Sequence, residues 1–144
     1  MRAVRIDILE RLASDPSLSD GQGLGCVVQC YQKRARHVID WIVALARRHR
    51  RQLMVRLVKG AYWDSEIKRA QIDGLPNYPV FTRKVHTDVS YLACAKAMLA
   101  APDAIYPQFA SHNAFTAAAV YVLADERPYE FQCLHGMGES LYDA

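Results

Sequence analysis

Four times along this chain a short apolar run is followed by a stretch whose apolar residues repeat at helical spacing. No other feature constrains the fold as much. Strands joined through helices pair in parallel, and their crossovers share one hand. The first run, GCVVQCY (25–31), is entered through the turn residues Asp20, Gly21, Gln22 and Gly23. It leads to a predicted helix over 34–48, in which Val38, Trp41, Ile42 and Leu45 repeat with the helical period. The second run, LMVRLV (53–58), precedes a short helix in SEIKRAQ, which Asp64 or Ser65 is expected to cap and the Gly74 and Pro76 region to end. The irregular stretch NYPVFTRKVH then leads to a helix over 88–101, with Thr87 as its expected cap. A third strand is predicted over 105–109, and SHNAFTAAAVYVLA supplies its end, a cap and an alanine-rich helix. The fourth strand, YEFQCL (129–134), runs into the loop HGMGE. A helix over 2–12 precedes the whole series.

Two α/β architectures accommodate this order: an open doubly wound sheet, or part of a parallel, TIM-like βα-barrel. The open sheet usually carries a glycine-rich phosphate loop after its first strand, and here that strand ends in CYQKRA with no such motif. The polar residues Gln29, Arg56, Lys59, His112, Asn113 and Gln132 gather instead at the C-terminal ends of several strands, the active face of a barrel. The barrel is therefore expected. A full one has eight strands in roughly 250 residues, so this sequence holds about four of the eight βα units.

Composition narrows the function classes. With 51% hydrophobic and 23% charged residues, the chain is globular. The net charge of +3 is mildly basic, and much of the excess lies in ARRHRR (46–51), at the end of a predicted helix where cations complement the dipole. No aromatics are interleaved there, which argues against nucleic-acid contact. The four cysteines form no CxxC pair and no signal peptide opens the chain, so they are expected to be buried, reduced, small hydrophobes in a cytoplasmic protein. The best apolar run, VIDWIVALA, is broken by Asp40 and too short to span a membrane.

The stretch RLVKGAYWD (56–64) holds the most chemistry. Period-2 alternation puts Met54, Arg56 and Val58 on one face of the second strand and Leu53, Val55 and Leu57 on the other. A buried guanidinium needs a partner. Arg56 either meets an anion or electron-rich ligand in a barrel mouth, or pairs with a carboxylate on a neighbouring strand. Lys59 suits a Schiff base, a phosphate contact or a solvated loop. Gly60 allows close approach of a ligand to the backbone. Tyr62 and Trp63 offer flat apolar area for an aromatic cofactor or for packing under the next helix. His112 lies where a helix start can bind anions. The histidines lack metal-ligand spacing, which excludes a zinc site.

The runs VVQCYQKR, LMVRLVKGAYWDSEIKRAQ, YPVFTRKVHTDVSYLACAK, YPQFASHNA and YEFQCLHGMGE, in that order, closely resemble the proline dehydrogenase domain of the bacterial bifunctional proline-utilisation flavoenzymes. The resemblance implies a distorted βα-barrel that binds FAD at its strand C-termini, oxidises L-proline to Δ1-pyrroline-5-carboxylate and passes electrons to a membrane quinone. Peripheral membrane association goes with that role. Carried over by motif, Arg56 is expected near the flavin N5 and Gln29 at the ring's polar edge. Val58, Lys59, Gly60, Ala61 and Trp63 are expected around the cofactor, with Thr82, Lys84 and Thr87 along the dinucleotide. Ser111, His112 and Asn113 are further implied FAD contacts, with Gln132 and Cys133 close by, while Ala61, Tyr62 and Leu134 line the proline pocket.

This sequence departs from the family at Cys30 (usually alanine), Ser111 (threonine), Phe115 (histidine) and Ser140 (proline). The resemblance further implies that residues 1–144 are a middle portion of the domain, truncated at both ends. The early strands with their lysine and aspartate fall outside it, as does the arginine pair that clamps the substrate carboxylate. Two other readings follow. A catalytically incompetent fragment would self-associate through open sheet edges, and a Schiff-base aldolase would use Lys59.

Overall fold

In the computed structural model, which describes residues 6–18 and 23–143, the four apolar runs form one parallel sheet. Its strands are β1 (Gly25–Gln29), β2 (Leu53–Val58), β3 (Ile105–Ala110) and β4 (Glu130–Gln132). They lie side by side in chain order, β1-β2-β3-β4, and the sheet does not close. The helices are α1 (Ile6–Ser14), α2 (Ala35–Arg48), α3 (Trp63–Ile72), α4 (Lys84–Leu99), α5 (Ala114–Ala124) and α6 (Glu139–Tyr142). Strand order carries the architectural argument. A doubly wound sheet reverses its order to place helices on both faces. With crossovers of one hand and no reversal, the crossover helices fall on the same face.

The core agrees. Val28, Leu53, Val55, Leu57, Ile105 and Phe109 from the strands share one buried cluster with Leu9 of α1, Ile39 and Ile42 of α2, Tyr91 and Met98 of α4, and Val120 of α5. Along β2, Leu53, Val55 and Leu57 are fully buried, and each such side chain contributes about 1.5–3 kcal/mol. Register pairs Val27 with Arg56 and Arg56 with Gln108, so these side chains share the other face. There Val27 is 41% exposed and Arg56 is exposed as well. The expected burial of the Arg56 guanidinium is thus corrected: among the described residues nothing covers that face.

β2 has the predicted bounds, whereas β4 is reduced from six residues to three, because its ladder with β3 runs only from Gln108–Glu130 to Ala110–Gln132. The third helix begins at Trp63, with neither Asp64 nor Ser65 capping it; Tyr62 occupies the cap position without a side-chain bond. Thr87 caps nothing either. α4 begins three residues earlier, at Lys84, and Thr87 is buried inside the helix. The basic run at the end of α2 is occupied by structure: Arg47 pairs with Asp103, Arg48 with Glu10, and Arg51 bonds the carbonyls of Asp15 and Leu18. All four cysteines are free thiols. Cys26, pushed up to about 11 by burial, and Cys30, raised well above the ordinary thiol value chiefly by burial, are inert small hydrophobes. Cys133 corrects the expectation of burial, because it is exposed. The predicted turn at Asp20, Gly21 and Gln22, and residues 2–5 of the first predicted helix, lie outside the described residues. No described helix is long and apolar enough to cross a membrane.

Candidate functional site

Past the C-terminal ends of β2, β3 and β4 lies a cleft of about 580 Å³, within the size range of small-ligand sites. Of the residues singled out from the sequence, Arg56, Val58, Lys59, Ala61, Lys84, Ser111, His112, Asn113, Gln132, Cys133 and Leu134 line it. Gln29 stands level with Val58 on the open face but lines a separate small pocket with Gln32 and Val38. Gly60, Tyr62, Trp63, Thr82 and Thr87 do not line the cleft.

Arg56 rises from the middle of the sheet, and its Nε donates to Gln132 Oε1. Gln132 Nε2 in turn donates to Glu130 Oε1 at 2.5 Å. The chain of bonds fixes the Gln132 amide: flipped, it would set N–H against guanidinium and oxygen against carboxylate. So Arg56 meets a neutral amide first and a carboxylate one step removed. Among the described residues its Nη nitrogens have no partner, and they remain donors toward the cleft.

On the other side two lysines share one carboxylate. Lys59 Nζ donates to Asp88 Oδ1 at 2.6 Å and Lys84 Nζ to Asp88 Oδ2 at 2.7 Å. Partial burial raises the Asp88 carboxyl, but the bonds and charges of the two lysines outweigh it and leave it below the usual carboxylate range. Two cations against one anion leave net positive charge at this wall.

Backbone and packing set these groups in place. Gly60 has φ +123°, and a Cβ there would fall 2.6 Å from the Tyr31 ring, so both conformation and space demand glycine just after β2. Tyr91, fully buried on α4, donates to the carbonyls of Leu57 at 3.3 Å and Ala110 at 3.4 Å, tying together the ends of β2 and β3 behind the cleft. Burial pushes its phenol pKa up. Trp63 Nε1 donates to the Phe81 carbonyl at 2.9 Å, while Phe81 N–H bonds the Tyr31 carbonyl at 2.8 Å. Those bonds strap the irregular 75–83 segment to the end of β1. Asn113 caps α5: its Oδ1 accepts from Thr116 N–H at 2.9 Å. His112 Nε2 accepts from Leu134 N–H at 3.1 Å.

The sequence reading missed Asp88, Glu130, Tyr91, Ala110 and His135. Two of them had a local signal. Asp88 lies four residues after Lys84, an i,i+4 pair, and Glu130 lies two before Gln132, hence on the same strand face. Tyr91 had none, since its partners come from two other elements. No group of three His, Cys, Asp or Glu among the described residues is placed to hold a metal.

The sequence matches the family described as "Proline dehydrogenase" over residues 1–144. It is 63% identical to "Bifunctional protein PutA" of Escherichia coli (strain K12), over 97% of this chain and 11% of that protein. It is 57% identical to the protein of the same name from Rhizobium meliloti, over 96% of this chain and 12% of that protein. A solved structure of Bradyrhizobium japonicum proline utilization A (PutA) superposes with a TM-score of 0.93 at 57% identity, covering 96% of this chain and 14% of that one. PutA from Bdellovibrio bacteriovorus, inactivated by N-propargylglycine, gives 0.89 at 35% identity, covering 94% and 15%. The chain thus spans only 11 to 12% of the length of these two curated relatives.

Proposed function

Since this chain belongs to the proline dehydrogenase family, we propose that residues 1–144 are part of an FAD-binding βα-barrel domain that oxidises L-proline to Δ1-pyrroline-5-carboxylate. The observation that carries this reading is the convergence of Arg56, Lys59, Ala61, Ser111, His112, Asn113, Gln132 and Leu134 on one cleft at the strand ends.

The residues fit the cofactor. A cleft of about 580 Å³ with apolar surface from Val58, Ala61, Ala110 and Leu134 suits an aromatic ring system. The net positive charge of Lys59 and Lys84 against Asp88 suits the anionic pyrophosphate. Bound FAD would supply the acceptor for the hydride that leaves proline C5 as the C5–N bond becomes a double bond, with the N–H proton going to solvent.

The chain's own residues bind and orient. Arg56, held at Nε by Gln132, keeps donors and positive charge where an electron-rich ring would lie, the kind of preorganised field that favours charge transfer. The apolar Ala61 and Leu134 are expected to wall the proline ring, and Gly60 lets the backbone pass close to the cofactor. Tyr62 belongs to the same pocket by motif, and Gln29, Trp63, Thr82 and Thr87 to the wider cofactor site, although the cleft of this chain does not include them. Electrons are expected to pass on to a quinone, with the protein cytoplasmic and peripheral to the membrane.

A second reading is a catalytically incompetent piece that associates with itself. What favours it is the unclosed sheet, whose β1 and β4 edges each have a single neighbour. The test is a visible spectrum after incubation with FAD and gel filtration. Retained flavin absorbance that bleaches on adding L-proline supports the dehydrogenase reading. Colourless, oligomeric protein supports the second.

A further inference from the structure

We infer that His112 is a positioning residue for the substrate: through Nε2 it holds the backbone of Leu134, and so one wall of the proline pocket. The assignment rests on the reading of that pocket given above. Apart from a local turn bond, Met137 N–H to the Leu134 carbonyl at 2.9 Å, Leu134 is poorly fixed. It lies two residues beyond Gln132, where the β4 ladder ends, and its side chain is 63% exposed, so neither strand pairing nor burial sets its position. The bond from Leu134 N–H to His112 Nε2, at 3.1 Å, does.

Two neighbouring contacts make that bond part of a latch between the β3–α5 loop and the segment after β4. Gly138 has φ +70°, and a Cβ there would come within 3.1 Å of His112 Cδ2, so this backbone rests against the imidazole. Further on, Tyr142 Oη donates to the Ser111 carbonyl, and the Tyr142 ring packs 5.2 Å from that of Phe131. Since Nε2 is the acceptor, the neutral ring carries its proton on Nδ1. The motif resemblance gives His112 a cofactor contact; the geometry gives it a separate duty toward the substrate wall.

The test uses the FAD-loaded polypeptide that carries this segment, with variants His112→Phe, which keeps a ring but removes the acceptor, and His112→Gln, which keeps an acceptor. Since His112 also carries a cofactor contact by motif, both constants are read per bound FAD: in His112→Phe the KM for L-proline should rise about tenfold, the order of one hydrogen bond's net worth, and kcat per flavin should fall by less than that. The Leu134 amide should exchange with deuterium faster, and His112→Gln should recover most of both effects. Wild-type exchange at Leu134, or loss of FAD with an unchanged KM in the remaining holoenzyme, overturns the inference. If His112→Phe does not fold, Gly138→Ala, whose new Cβ would press on the same ring, should raise KM in the same direction; an unchanged KM there counts against it equally. A wild-type protein that binds FAD but is not bleached by L-proline overturns the functional reading instead, and the exchange rate at Leu134 still decides whether the latch exists.

Discussion

On β2, Leu53, Val55 and Leu57 are fully buried beneath the helices, while Met54, Arg56 and Val58 between them look onto the uncovered face. The two sets alternate along six residues of one strand, yet they hold their positions by different means. The covered side is fixed by close packing, which tolerates no void. On the uncovered side Arg56, Gln132 and Glu130 are fixed by directional hydrogen bonds between side chains that solvent can reach. A hydrogen-bonded chain of that kind is worth little by itself in water. It keeps its geometry because the backbone beneath is clamped from the other side, by Tyr91 bonding both β2 and β3. One face makes the structure stable so that the other can be chemically specific.

The largest expected effect tests the packed side. Leu57→Ala should cost about 2–5 kcal/mol in urea unfolding, the range for a fully buried leucine. Its neighbour on the other face should behave oppositely. Arg56→Met should leave stability within about 1 kcal/mol of wild type, yet slow L-proline-dependent bleaching of bound FAD on the order of 100-fold. Equal losses of stability from the two substitutions would break the comparison. At the junction of the faces, Asn113→Ala removes the α5 cap and should cost about 1 kcal/mol by the same unfolding measurement, with Asn113→Ser closer to wild type.

The smallest effect concerns the lysine wall of the cleft at the strand ends. The folded-state carboxyl of Asp88 is held below its ordinary 3.8, so the stabilisation from Lys59 and Lys84 is complete above that pH and is lost as pH falls through the lowered value. With 35% of the Asp88 side chain accessible to solvent, screening keeps the contribution under about 1 kcal/mol. Asp88→Asn should flatten that acid limb of a stability–pH curve, and added salt should shrink it in the wild type. An acid limb unaffected by Asp88→Asn would assign it to other carboxylates.

How much of this was legible follows the same division. The alternation in LMVRLV fixed both the bounds of β2 and the faces of its side chains, because burial on one side leaves a period in the sequence. The parallel class and the strand-end cleft followed from the order of elements. The extent of β4 did not, because a strand's length there depends on how far its neighbour continues, and β3 ends at Ala110. Nor did the start of α4: Thr87 has the right chemistry for a cap, but Tyr91, Cys94 and Ala95 bury with it on one helix face, and that packing carries the helix back to Lys84. At the site, residue types near strand ends identified most of the cleft lining, whereas the bonds that orient Arg56 and Leu134 join residues far apart in sequence. Spacing carries no trace of such pairs.

The simple strand order also bears on how the sheet is made. Each strand pairs with the one before it, so as the chain leaves the ribosome β2, β3 and β4 each find their partner already synthesised. The three closures differ in difficulty. Pairing Leu53 with Ile105 spans α3, the strapped 75–83 segment and α4, roughly twice the chain between Gly25 and Met54, and each doubling of a loop adds about 0.6 kcal/mol of closure entropy. The β2–β3 ladder is therefore the costliest of the three closures in chain entropy. It is also the seam that Tyr91 staples, and it lies directly beneath the cleft, so the site takes shape only when the longest crossover has come home.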